Sequence, residues 1–314
     1  MVFCIGALRA RIFKAFLIIT AMLGMAGAAQ AQYTQTQYPV VLVHGMLGFE
    51  SIGPIGYFYG VPQALRAGGA TVFTPAVSAL ESSEARGEQL LSYLQQLRAA
   101  YGYTKFNLIG HSHGGPTARY VAAVAPDMVA SVTTMGSPHL GTVVADVVES
   151  AAGATGSTTF VAALFDALGS AISYLAGTPG NPQNALGTMG SLTTSGAAKF
   201  NVLAPAGKPT SQCGSGAELV HGVRYFSASG VAAGTNVLDL SDPMLILTST
   251  LFGWESNDGL VSRCSSHWGT VLRDDFAWNH LDEVNQAFGL RGWFSSDPVQ
   301  FYRTQANRLK GLGL

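Results

Sequence analysis

The chain has 314 residues, 48% of them hydrophobic and only 11% charged, with 17 basic side chains against 18 acidic ones and a formal net charge of −1. No basic stripe is present, which excludes nucleic acid as a partner. No linker, low-complexity segment or internal repeat breaks the chain, so it reads as one large domain and not two.

At the start, Arg9, Arg11 and Lys14 precede an apolar run over residues 15–23, and small residues lead to Ala29-Gln30-Ala31. This is the pattern of a secretory signal peptide with an A-x-A cleavage signal, so residues 1–31 are expected to be removed and the mature domain to span residues 32–314. The apolar run is too short to span a membrane. The expected destination is outside the cell, by way of the periplasm. Cleavage would take Cys4 away and leave Cys213 and Cys264, an even pair in an oxidising compartment, for which a disulfide is expected. It would also leave 14 basic residues facing 18 acidic ones, a formal charge of −4.

Residues 39–44, Pro-Val-Val-Leu-Val-His, form an unbroken apolar run of the kind that a parallel sheet buries on both faces. A glycine-bounded turn, His44-Gly45-Met46-Leu47-Gly48, follows. Residues 83–101 read as a helix, with Leu90, Leu91, Leu94 and Leu97 on one face and Gly102 placed to stop it. An apolar strand at 106–109 then runs into Gly110-His111-Ser112-His113-Gly114, and residues 115–123 leave with helical character. Another strand is expected over 128–134. Farther on, within residues 158–177, Val161, Leu164, Phe165, Leu168, Ile172 and Leu175 recur at helical spacing with Asp166 as the only charge. Strands alternating with helices predict an α/β fold with a mostly parallel central sheet and right-handed crossovers.

The strand, sharp turn and helix around Gly-His-Ser-His-Gly form the context of a nucleophile elbow, which makes Ser112 the candidate nucleophile. A serine hydroxyl needs a base to take its proton, and the oxyanion it generates needs fixed donors. In α/β-hydrolases those donors are the backbone N–H of the residue after the nucleophile, here His113, and one from the loop after an early strand, here Met46. The expected chain order is serine, acid, histidine. Spacing alone leaves His139, His221, His267 and His280 as candidate bases, and Asp239, Asp242, Asp258, Asp274 and Asp275 as acids preceding the last of them.

Four stretches carry a longer likeness: Tyr-Pro-Val-Val-Leu-Val-His-Gly-Met-Leu-Gly-Phe at 38–49, Asn-Leu-Ile-Gly-His-Ser-His-Gly-Gly-Pro-Thr at 107–117, Ser-Asn-Asp-Gly-Leu-Val at 256–261, and Trp-Asn-His-Leu-Asp-Glu-Val-Asn-Gln at 278–286. In these the chain resembles the secreted true lipases of Pseudomonas and Burkholderia type, from about Tyr38 to Lys310. The resemblance implies an α/β-hydrolase fold with a mobile helical lid over about residues 150–178, and a triad of Ser112, Asp258 and His280. It also implies one structural calcium ion, held by the carboxylates of Asp242 and Asp282 and the main-chain carbonyls of Gln286 and Leu290, and no organic cofactor. Calcium prefers such a hard-oxygen set. A membrane-anchored lipase-specific foldase is the implied folding partner, and a lipid–water interface the implied place of work.

The sequence therefore reads as a triacylglycerol lipase that cleaves water-insoluble acylglycerols through an acyl-enzyme. A carboxylesterase or polyester depolymerase using the same triad is the enzymatic alternative. A non-catalytic, hydrolase-like binding protein would be expected to carry broken triad positions, and all three are intact.

Overall fold

The computed structural model describes residues 32–154 and 158–314, so the expected signal segment, 1–31, lies outside the described residues. β1 (Val40–Val43) buries every side chain. A small antiparallel ribbon of β2 (Ser51–Ile52) and β3 (Ile55–Gly56) follows. Next come α1 (Val61–Ala67), with a proline in its first turn where the missing N–H costs nothing, and β4 (Val72–Phe73). α2 (Ser83–Tyr101) matches the expected helix at both ends: the Ser82 hydroxyl accepts from the Ala85 amide, and Gly102 closes it at φ 74°. β5 (Phe106–His111) is buried throughout and leads into α3 (Gly114–Val124). A 3₁₀ turn at Pro126–Met128 takes the first residue of the next expected strand, so β6 runs Val129–Met135.

Four helices follow: α4 (Val143–Ala154), α5 (Thr158–Leu175), α6 (Ala185–Leu192) and α7 (Thr194–Leu203). The chain returns to the sheet with β7 (Leu219–Val220) and β8 (Val223–Gly230). It then forms α8 (Asp242–Ser249), β9 (Thr270–Phe276) and α9 (Pro298–Gly311).

The seven-stranded sheet has the order β4-β1-β5-β6-β8, with β7 and β9 pairing successive stretches of β8. Every pairing in it is parallel except β7 with β8. The period of two along β1 divides the core. Val41 and Val43 face a cluster with Leu90 and Leu94 of α2 and Val121 of α3. Val40 and Leu42 face another with Val61 and Leu65 of α1 and Tyr302 of α9. This two-sided burial is why β1 and β5 read as unbroken apolar runs. Cys213 and Cys264 form the expected disulfide, 51 residues apart. No helix among the described residues is long and apolar enough to cross a membrane.

Candidate active site

β5 ends at the elbow. Ser112 takes φ 53°, a left-handed conformation that costs a non-glycine residue energy, and its amide donates to the Met135 carbonyl at 2.9 Å. The flanking glycines are sterically required. A Cβ on Gly110 would lie 2.2 Å from the Gly114 carbonyl oxygen, and one on Gly114 2.1 Å from that of Val43.

The turn after β1 reaches the same point. A Cβ on Gly45 would lie 2.8 Å from Ser112 Cβ, so Met46, the next residue, follows directly on the backbone that abuts the serine. The turn is fixed by the Leu47 amide donating to Ala79 O at 2.8 Å and by the Gly48 amide donating to Gly45 O at 3.2 Å. Arg86 of α2, fully buried, donates to the carbonyls of His44 and Ser78 and to the Thr117 hydroxyl. That hydroxyl donates to the His113 carbonyl at 2.8 Å, so one guanidinium braces the strands of chain carrying both Met46 and His113. Burial brings Arg86 down to about 10, which leaves it charged at neutral pH. Burial, reinforced by that charge, pushes His44 down to about 3 and His113 well below the usual imidazole range, so both are neutral.

Among the candidate acids and bases, His280 Nδ1 lies 2.7 Å from Asp258 Oδ2. Asp258 Oδ1 accepts from the amides of Leu260 and Val261 at 2.9 and 2.7 Å, and the His280 amide donates to Asp258 O at 2.9 Å. The acid is thus immobilised by backbone, and Nδ1–H of the imidazole is committed to it, leaving Nε2 to accept a proton. His267 also meets a carboxylate, Asp274, at 3.0 Å, but its other nitrogen faces Gly214 O, beside the disulfide. His139 is held between Arg119 and the Thr134 hydroxyl, and His221 is exposed. It is His280 whose carbonyl accepts from His111 Nε2, at 2.9 Å, one residue before the serine.

Two participants carry no recognisable sequence signal. Glu283 is fully buried, accepts from the Gly230 amide at 2.6 Å, and brings Oε2 to 3.2 Å from His111 Nε2 and 4.0 Å from His280 Nδ1. Burial and the Asp258 carboxylate beside it hold its carboxyl well above the ordinary range. Tyr57, 54 residues upstream in the chain, reaches His111 Nδ1 at 2.7 Å.

The expected cation ligands lie just beyond the base. Asp242 is the first residue of α8, and its Oδ2 accepts from the amides of Thr235 and Asn236 at 2.7 Å each, Oδ1 from Asn279 Nδ2 at 2.8 Å. Asp282 accepts from the Asn279 amide at 3.2 Å through Oδ2, while its Oδ1 is buried without a hydrogen-bond partner. Asp239 Oδ2 is orphaned in the same way. Burial, with Asp239 and Asp242 adding repulsion, raises Asp282 to about 6. Gln286 donates through its side-chain amide nitrogen to the carbonyls of Gly56 and Tyr57, and Leu290 is half-buried. Orphaned buried carboxylate oxygens among repelling acids suit a hard cation.

α5 covers part of the turn. Its Ala162 and Phe165 pack with Leu80, Ala185, Met46 and Leu47. Phe165 and Ile172 are half-buried, whereas Leu168 and Leu175 of the same apolar series are exposed.

A family model described as alpha/beta hydrolase fold matches residues 38–284. The chain belongs to the alpha/beta-hydrolase family. This hydrolase is 51% identical over 287 residues to a triacylglycerol lipase of Vibrio cholerae, a match covering 91% of this chain and 92% of the other. It is 44% identical over 290 residues to a triacylglycerol lipase of Pseudomonas fragi, covering 89% and 98%. Lipase 1 from Pelosinus fermentans shares the fold at 18% identity with a TM-score of 0.59, covering 89% of this chain and 100% of that one. These relatives bear out the resemblance read from the motifs.

Proposed function

We propose that this hydrolase is a secreted triacylglycerol lipase working through Ser112, His280 and Asp258. The observation that carries the reading is the 2.7 Å pair of His280 Nδ1 with Asp258, joined through the His280 carbonyl to the residue before Ser112. His280 Nε2 takes the Ser112 proton as Oγ attacks the ester carbonyl, and returns it to the leaving alcohol; Asp258 holds the tautomer and stabilises the imidazolium. The amides of Met46 and His113 receive the oxyanion, a contribution worth roughly 10²–10³ in turnover per donor. Water, activated by the same imidazole, then releases the fatty acid from Ser112.

Calcium fits the acid cluster. The carboxylates of Asp242 and Asp282 with the carbonyls of Gln286 and Leu290 would hold it, and its charge would fix the loop that presents His280. Residues 1–31 as a signal peptide, a foldase partner and a lid built on α5 complete the proposal, supported by the motif resemblance and, for the lid, by the apolar side chains that α5 leaves in solvent.

The test is fatty-acid release from emulsified long-chain triglyceride against dissolved short-chain ester, with calcium, for wild type and Ser112→Ala. Emulsion activity that vanishes in the variant is expected. Cleavage of the dissolved ester alone would make the enzyme a carboxylesterase, and full activity of Ser112→Ala would remove the elbow assignment.

A further inference from the structure

His280 sits on a stretch, residues 277–281, without regular secondary structure, so its position depends on how its own peptide groups are tied. Its amide is bound to the Asp258 carbonyl at 2.9 Å, which fixes it to the acid. Its carbonyl is bound to His111 Nε2, also at 2.9 Å, which fixes it to the strand that ends at Ser112. The second tie sets the distance between base and nucleophile.

That tie depends on a tautomer. A carbonyl only accepts, so His111 Nε2 must carry the hydrogen and Nδ1 must be the acceptor. The group facing Nδ1 is the Tyr57 hydroxyl, at 2.7 Å, which therefore donates. With the opposite tautomer, a bare Nε2 would face the His280 carbonyl at 2.9 Å, acceptor against acceptor. Tyr57 is itself well fixed: it is buried, in edge contact with Phe49 and Phe58, and its own carbonyl accepts from Gln286. Its hydroxyl also abuts the oxyanion turn, since a Cβ on Gly45 would lie 2.7 Å from it. The His111 and His280 rings lie 4.7 Å apart, so a change at His111 is felt directly at the base.

We infer that Tyr57 and His111 are a positioning pair for the base: the Tyr57 hydroxyl selects the His111 tautomer whose Nε2–H holds the His280 carbonyl in place beside Ser112. The inference rests on His280 being the base, and the experiment separates the two.

The full-length enzyme is assayed on a dissolved p-nitrophenyl ester, with kcat, KM and thermal midpoint recorded for Tyr57→Phe, His111→Gln, His111→Leu and the Tyr57→Phe/His111→Gln double variant. Loss of one hydrogen bond at the base predicts a fall in kcat of about tenfold for Tyr57→Phe with KM unchanged. His111→Leu falls at least as far. A glutamine amide nitrogen reaches the place of Nε2 and has no tautomer to select, so His111→Gln retains activity within about threefold and Tyr57→Phe costs less than about twofold on that background. The same loss from Tyr57→Phe in both backgrounds would mean that the hydroxyl serves packing alone, and the inference fails. It fails equally if ¹⁵N spectra of the wild type place the His111 proton on Nδ1, a readout that needs no variant to fold. A His280→Ala enzyme that stays active removes the base assignment and this inference together. If His280→Ala is dead and Tyr57→Phe keeps full kcat, the positioning pair alone is wrong.

Discussion

Asp282 offers a test whose sign depends on the cation. Its carboxyl titrates at about 6 in the folded chain against an ordinary 3.8. With the side chain 1% exposed, solvent screens little of this, and the difference corresponds to about 3 kcal/mol as an upper bound. Because the folded value is the higher one, the cost is borne by the folded state above pH 6, where the group is charged in both states, and vanishes below pH 4, where it is protonated in both. Asp282→Asn removes the charge and leaves an oxygen to accept from the Asn279 amide. In chelator at pH 7.5 the variant is therefore expected to melt above wild type, by up to roughly 6–12 °C at 2–4 °C per kcal/mol for a chain of this size. In calcium the order reverses, because wild type gains about 4.1 kcal/mol at a thousandfold excess over Kd, more than the cost, and the variant lacks a ligand and gains less. Thermal unfolding followed by circular dichroism at pH 4, 5.5 and 7.5, with and without calcium, measures both. A variant less stable than wild type in chelator, with no calcium effect on either protein, would refute the acid-cluster argument.

Two further outcomes follow from the geometry. Gly114→Ala places a Cβ 2.1 Å from the Val43 carbonyl oxygen and is expected to give protein with no esterase activity and a lowered thermal midpoint; normal turnover would contradict the packing at the elbow. Replacing Cys213 and Cys264 by serine opens a loop of 51 residues and is expected to cost up to about 4 kcal/mol in urea denaturation while leaving kcat near wild type, since the disulfide lies on the His267 side and not at His280.

What the sequence revealed were features whose causes are local. Ser82, the leucine spacing and Gly102 determine α2 within its own length, and two-sided burial writes itself into β1 as an unbroken apolar run. The elbow is legible because its glycines answer to backbone atoms a few residues away, as Gly110 does to Gly114. The choice among four histidines was not legible from spacing, since the pair of His280 with Asp258 and the tie to His111 span 22 and 169 residues. Family motifs supplied that choice. Glu283, Tyr57 and Arg86 stayed hidden for a related reason: a buried polar residue looks like a surface one until the partners that satisfy it are brought in from elsewhere. The apolar spacing of α5 was legible, but not which of its side chains the fold covers: Phe165 and Ile172 are half-buried, whereas Leu168 and Leu175 face solvent.

On the lid proposed above, the seam between α5 and the turn after β1 would make recognition of a greasy substrate and readiness of the site a single event. Met46 and Leu47 would lose Ala162 and Phe165 if the helix departed, and only a ligand with comparable oiliness would restore what they lost. A small, well-hydrated ester would have no such replacement to offer and would meet a site that prefers to stay shut. Selectivity of this kind would reside in the cover rather than in the pocket, and enlarging or shrinking Phe165 would then be expected to retune it without touching any group that handles a proton.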